Sequence, residues 1–204
     1  PPPLPVTQKR ALPGKLGQGN QQLAVLLRDR SGSMNGAKLA ALNQASIGFQ
    51  REIADPSLKN CILLSVIDFN QGAELRCSAE VPSQRTMPEA ICSGGTNFDA
   101  PLKLALDEVT KFINQPNPGG WNFLRSQVII LSDGYAPVTD RNIAALHEVA
   151  TVTAVAYGAD ADHGTLARMA SDGQVHAIGT SGDQLRQFFA EVGKTMTSTF
   201  NAAP

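Results

Sequence analysis

Five oxygen-bearing side chains fall in three short turns: Asp29, Ser31 and Ser33 within Arg28-Asp29-Arg30-Ser31-Gly32-Ser33, Thr96 behind Gly94-Gly95, and Asp133 before Gly134. Three hydroxyls and two carboxylates make an all-oxygen donor set. Such a set suits a hard divalent cation, above all Mg²⁺, which takes an octahedral oxygen shell and gives up its water reluctantly. The alternation Asp-x-Ser-x-Ser aims three oxygens at one point when the chain turns on leaving a strand. The hydroxyls are neutral, so a cation whose carboxylates act partly through water keeps much of its charge. An open position on it would then attract an anionic oxygen from outside. That is docking chemistry, and it requires no chemical conversion.

The elements around these turns explain how they meet. Leu23 to Leu27 is a short continuous apolar run, the pattern of a strand covered on both faces, and Asp29 follows it directly. Ala37 to Ile53 carries Leu39, Leu42, Ala45, Phe49 and Ile53 near helical spacing and stops at Asp55-Pro56. Cys61 to Phe69 is a second strand, and the tight turn at Asn70-Gln71-Gly72 sends Ala73 to Val81 back antiparallel to it. In that third strand Leu75, Cys77, Ala79 and Val81 are expected on one face, with Glu74, Arg76, Ser78 and Glu80 on the other, as suits an edge. Helices are expected at Leu102 to Ile113, Asp140 to Val149, His163 to Ala170 and Asp183 to Phe200; strands at Val128 to Leu131, Val152 to Tyr157 and Gln174 to Ile178.

Alternation of strands and helices predicts an α/β fold: a Rossmann-like, doubly wound sheet of six strands, mostly parallel with one antiparallel edge strand, and helices on both faces. In the strand order 3-2-1-4-5-6 ligands bind between strands 1 and 4, beyond their carboxyl ends. Asp29 ends strand 1 and Asp133 ends strand 4, so both carboxylates reach one crevice, and the loop carrying Thr96 precedes the helix that leads there.

The 204 residues suffice for one domain with a full core. Residues 1–21 are rich in Pro, Gly and Gln and read as an arm or linker, leaving 22–204 as the domain. The net charge of -1 and the lack of a basic stripe argue against nucleic acid as partner, and no apolar run is long enough for a membrane span. Three cysteines without metal-ligand spacing, two of them (Cys61 and Cys77) in strand-like runs, favour a reducing compartment and a cytoplasmic location. The chain opens on Pro1 without a charged-then-apolar signal, which reads as a trimmed chain; an earlier, removed signal stays open.

Bland readings compete with the chemical one. Asp and Ser after a strand are common helix caps and turn formers. Capping explains Asp-x-Ser-x-Ser alone about as well as metal binding does, but it leaves Thr96 and Asp133 without a reason. Asp68, Asp107 and Asp140 read as solvated or capping residues, and Asp99 as either capping or a second-layer support of the site. His147, His163 and His176 are scattered and read as non-ligands; Trp121 reads as a packing anchor. Met34, Phe98 and Tyr135 follow the three loops and are expected on the rim of a docking surface. No phosphate-binding G-x-x-x-x-G-K-S/T loop and no G-x-S-x-G nucleophile elbow occurs. Asp29 imitates an aspartyl-phosphate nucleophile at the end of strand 1, yet Ser31 stands where such phosphatases usually offer a second Asp.

Asp29-x-Ser31-x-Ser33, then Thr96 behind a Gly-Gly turn, then Asp133-Gly134, resembles the metal-ion-dependent adhesion site of von Willebrand factor A (VWA) domains. Val66-Ile67-Asp68-Phe69 and the run from Thr153 to Gly158 match the same family, so the resemblance covers about residues 22–200. It implies a VWA fold binding Mg²⁺ or Mn²⁺, with hydroxyl ligands from Ser31, Ser33 and Thr96, and Asp29 and Asp133 holding the ion directly or through water. It also implies protein binding, in which an acidic residue of a partner completes the coordination. The chain is similar to standalone bacterial VWA proteins of the tellurium-resistance-associated kind, and a partner in a kinase, phosphatase or ATPase system is kept open. Arg28 departs from the family, where its position is often apolar. With Arg30 it is expected either to weaken metal binding or to help receive an acidic partner. The expected function is a metal-dependent protein–protein interaction module that is not an enzyme. Its rivals are a Mg²⁺-dependent phosphate-ester hydrolase and a scaffold with a vestigial metal site.

Overall fold

The computed structural model describes residues 19–159 and 161–201. Most of the arm expected over 1–21 lies outside the described residues, and the first strand begins two residues inside it.

In chain order the elements are β1 (Asn20–Asp29), α1 (Ala37–Ile53), β2 (Ile62–Phe69), β3 (Ala73–Glu80), α2 (Asp99–Ile113), β4 (Asn122–Phe123), β5 (Ser126–Ser132), α3 (Asp140–Val149), β6 (Ala150–Tyr157), α4 (His163–Met169), β7 (Val175–Ile178) and α5 (Gly182–Asn201). The sheet runs β3-β2-β1-β5-β6-β7. Its pairings are parallel except between β2 and β3. The expected six-strand order is therefore present. The seventh strand, β4, pairs Asn20 and Gln21 of β1 with Asn122 and Phe123, and after a break at Leu124 and Arg125 the same line continues as β5. At that break the Arg125 guanidinium turns out to the carbonyls of His147, Glu148 and Ala150, at the end of α3, where a cation complements the helix dipole.

The apolar run expected for the first strand is fully buried: Leu23, Ala24, Val25, Leu26 and Leu27 are all 0% exposed. Successive strand residues point to opposite faces, so β1 serves two cores. Leu23, Val25 and Leu27 pack under α2, α3 and α4, while Ala24 and Leu26 pack under α1 and α5. Each large side chain so buried is worth about 1.5–3 kcal/mol relative to exposure. The helix after β1 lies on one face and the helix before β5 on the other. The carboxyl ends of β1 and β5 therefore open a crevice at the point where the winding reverses.

The edge strand departs from its expected alternation. Its register with β2 shifts twice, between Leu64 and Val66 and between Val66 and Ile67, and Ala79 has φ +45°. Each shift accommodates an extra residue, as in a β-bulge. Cys77 consequently packs on the α1 and α5 side, whereas Ala79 and Val81 pack on the other, and Leu75 is exposed. A buried Ser65 hydroxyl fills the bulge: it accepts the Ala79 N–H at 2.8 Å and donates to Glu108 Oε2 at 2.9 Å.

Candidate metal centre

Asp29 is the last residue of β1, and its carboxylate is fixed before any loop begins. Oδ1 accepts the Ser31 N–H at 2.8 Å, which turns the chain back across the strand end, and Oδ2 accepts the Ser132 hydroxyl from the end of β5. The Gly134 N–H donates to the same Ser132 oxygen at 2.9 Å. Ser31 and Ser33 follow with their hydroxyl oxygens 3.0 Å apart, and Ser33 donates to Asp133 Oδ1 at 2.7 Å. The first and third motifs are thus bonded to each other directly. Thr96 arrives from the second loop: a Cβ placed on Gly134 would stand 2.9 Å from Thr96 Oγ1 and 3.5 Å from Asp29 Oδ2. Only glycine leaves that space, and the oxygens of Asp29 and Thr96 face it.

The middle loop is held in place by backbone bonds. Gly32 N–H donates to the Gly94 carbonyl at 2.9 Å, Ser93 N–H to Arg30 at 2.8 Å, and Asn97 N–H to Asn70 at 2.7 Å. Asn70 Nδ2 adds bonds of 2.9 Å to the Ser93 carbonyl and hydroxyl. Gly94 has φ +68°, in the left-handed region that favours glycine. Loops from the ends of β1 and β2 therefore clamp the segment that presents Thr96.

Exposure grades across the site. Asp29 and Ser132 are 0% exposed, Ser31 1% and Asp133 4%, while Ser33 is exposed at the mouth. Burial pushes the Asp29 carboxyl up. Hydrogen bonds from Ser132 and Ser31 pull it back, and the Asp133 charge adds to the rise. Two buried carboxylates converging in one crevice call for positive charge. Among the described residues no group of three or more His, Cys, Asp or Glu side chains is arranged to hold a metal. The donor set here is two carboxylates and three hydroxyls, all oxygen, which fits Mg²⁺ or Mn²⁺ and not a soft ion.

Solved structures share the architecture that carries this arrangement. A von Willebrand factor type A protein from Catenulispora acidiphila superposes with a TM-score of 0.69 at 19% identity, over 86% of this chain and 42% of its own. The vWF domain of the type V pili tip protein Mfa5 from Porphyromonas gingivalis gives 0.72 at 9% identity, over 91% and 98%. The chain has the von Willebrand factor A fold. Proximal thread matrix protein 1 from the mussel byssus, solved with a zinc-occupied MIDAS motif, gives 0.59 at 19% identity over 87% and 46%. This chain spans less than half the length of the Catenulispora and byssus proteins. No protein-family model and no curated protein sequence matches it.

Within the VWA frame several expected roles are corrected. Met34 and Phe98 are not rim residues: both are 0% exposed. Met34 closes a 3₁₀ turn, Gly32–Met34, and drops into the α1 core; Phe98 packs on Phe69 with ring centroids 5.9 Å apart. Only Tyr135 of the three stands out, at 71% exposure. Asp68 is neither solvated nor a cap. It lies beside Arg28 in register, both are 0% exposed, and Arg28 Nε donates to Asp68 Oδ1 at 2.7 Å. Arg28 is thus spent on a cross-strand pair and presents no charge to a partner. Asp99 supports the helices around the site: it accepts Thr139 N–H at 2.9 Å, Thr139 Oγ1 at 2.7 Å and Asn142 Nδ2 at 2.7 Å, tying the start of α2 to the start of α3.

Two residues of the site were not expected. Ser132 orients Asp29, and Lys38 places its ammonium on Asp133 Oδ2. Lys38 sits in the first turn of α1, where the helix dipole disfavours a cation. That local conflict was a readable signal. A groove of about 420 Å³ lies elsewhere, at the amino ends of the strands, lined by Gln22, Gln127, His176, Phe188 and Met196 among others. It shares no residue with the oxygen cluster. Among the described residues no helix is long and apolar enough to cross a membrane.

Proposed function

We propose that this chain is a metal-dependent protein-binding module that holds Mg²⁺ (or Mn²⁺) and docks an acidic side chain of a partner protein. The observation that carries the reading is that Ser31, Ser33 and Asp133 are linked side chain to side chain while Thr96 and Asp29 oxygens meet beside Gly134, all at the switch point of the sheet. Ser31, Ser33 and Thr96 would supply hydroxyl oxygens, and Asp29 and Asp133 carboxylate oxygens, directly or through water. The bound ion would supply a centre of positive charge able to accept a carboxylate. The chain's own part is to keep that space narrow and oriented: Ser132 fixes Asp29, Asp133 accepts the Ser33 hydroxyl hydrogen bond, and Gly134 keeps Thr96 close. The zinc-occupied motif of the byssus protein supports the reading. The thiols of Cys77 and Cys92, neither of them in a disulfide, suit a reducing, cytoplasmic setting.

Calorimetric titration of Mg²⁺ and Mn²⁺, with and without an acidic peptide, tests the reading on wild type, Ser33→Ala and Asp29→Ala. Saturable binding that tightens with peptide and disappears in both variants, with the far-UV CD spectrum retained, is the expected result. Undiminished peptide affinity in EDTA would overturn it.

A further inference from the structure

Lys38 is the third charged group of the crevice. Its side chain is 21% exposed, that of Asp133 only 1%, and the ammonium sits on Asp133 Oδ2 while Ser33 Oγ sits 2.7 Å from Oδ1. Both oxygens of the carboxylate are therefore engaged by the chain itself. Arg30, next to Asp29 in sequence, turns away: its guanidinium meets Glu74 Oε2 at 3.3 Å and the Ile91 carbonyl at 3.5 Å.

A lysine ammonium is a compact point charge with three donors on a flexible stem. It can neutralise a carboxylate as a small cation would, and with one fifth of its side chain exposed it has a way out. Its position adds a second observation. Lys38 is the second residue of α1, after Gly36 as cap, where exposed amide N–H groups repel positive charge. The Asp133 contact offsets a placement that helix formation alone opposes, and departures from a local rule concentrate at functional or strained sites.

We propose that Lys38 is a tethered cation of the metal site: its ammonium occupies the charge position at Asp133 until a divalent ion enters, and the ion must displace it. The inference rests on the metal-binding reading above. It makes Lys38 a determinant of metal affinity that acts against binding, so that only an ion of higher charge than an ammonium opens the site. Monovalent ions, with no charge advantage over the tethered group, leave it closed.

The test is calorimetric titration with Mg²⁺ alone on wild type, Lys38→Met, Lys38→Gln and Arg30→Met. Lys38→Met keeps the stem and removes the charge, and Lys38→Gln serves as a second neutral variant should the first fail to fold. Arg30→Met removes an equal charge near the site that touches neither carboxylate. The expected result is an affinity for Mg²⁺ about tenfold higher in the Lys38 variants and changed less than threefold in Arg30→Met. Equal or weaker affinity in the Lys38 variants overturns the displacement. So does equal tightening in Arg30→Met, which would make the effect one of general charge. Failure of Mg²⁺ to bind wild type and all variants overturns the metal reading itself and the displacement with it, whereas wild-type binding with an unmoved Lys38→Met overturns the displacement alone.

Discussion

Two cation–carboxylate pairs flank Asp29, and they are built differently. Arg28–Asp68 is sealed between β1 and β2 with both side chains at 0% exposure. Lys38–Asp133 spans from the start of α1 to the end of β5 with the lysine partly in solvent. The sealed pair uses a rigid guanidinium and cannot exchange with anything outside. The open pair uses an ammonium whose side chain is partly in solvent, and the displacement proposed above requires that it can. One end of β1 thus carries a sealed ion pair on one side and a partly open one on the other, and the proposed displacement concerns only the second.

The comparison breaks first at the sealed pair. Removing one partner of a buried pair leaves an uncompensated charge and costs about 3–5 kcal/mol. Asp68→Ala should fall in that range, and Arg28→Ala should be comparable, both read by urea unfolding. The pair is also imperfect: among the described residues Arg28 Nη1 and Nη2 and Asp68 Oδ2 have no hydrogen-bond partner, with Arg76 Nε 3.8 Å from that oxygen. Unsatisfied buried polar atoms are costly. The double variant Arg28→Met, Asp68→Leu should therefore recover the wild-type midpoint or exceed it. A double variant as unstable as the singles would show that the charges do something beyond filling the space.

Asp99 gives the next largest effect and belongs to the open side, because it ties the helix after the Thr96 loop to the helix after the Asp133 loop. Burial alone would raise its carboxyl, but the Thr139 and Asn142 hydrogen bonds and the Lys103 charge outweigh that and hold it below its ordinary value. A depressed folded value means that its stabilisation is present above the unfolded carboxylate range and lost as pH falls through the folded value. Asp99→Ala should cost roughly 1–2 kcal/mol at pH 7. The gap between variant and wild type should close as pH falls through that depressed folded value. A gap that persists in acid would mean that the lost contribution is packing and not charge.

The open pair itself should matter less to folding than to ligand. In EDTA, Lys38→Met should lower stability by about 1 kcal/mol or less, because the lysine is partly solvated and Ser33 still satisfies one Asp133 oxygen. Thermal melting in EDTA checks it. A loss as large as that of Asp68→Ala would erase the distinction between the two pairs.

How much of this was legible in the chain follows from the range of the interactions. Continuous apolar runs such as Leu23–Leu27 and the periodic face of Ala37–Ile53 specify their elements locally, so the sheet order and the helix positions could be read. The oxygen cluster could be read because Asp29, Ser31 and Ser33 lie within five residues and glycines mark the other two loops. The β4 strand has two residues and no pattern to detect. The bulges of β3 depend on Ser65 and Glu108, which the alternation of Ala73–Val81 does not reveal. Arg28 pairs with a residue 40 positions away, and only the register of β1 with β2 brings them together. Met34 and Phe98 look like rim residues by position, yet large apolar side chains next to polar loops turn inward wherever a core lies within reach.

The smallest expected effect falls on Tyr135, the one exposed aromatic beside the oxygen cluster. At 71% exposure it buries little, so Tyr135→Ser should change stability by no more than about 0.5 kcal/mol. An aromatic ring with a polar tip suits a contact surface at low entropic cost. It follows Gly134 directly, so the proposed docking of a partner carboxylate would bring the partner near it. Tyr135→Ser should therefore leave Mg²⁺ affinity unchanged while weakening an acidic peptide, in saturating Mg²⁺, by about three- to tenfold. An equal loss in metal affinity would place the ring in the architecture of the site. No loss in peptide affinity would place the docking path on the other side of the crevice, along the exposed Gly94 and Asn97.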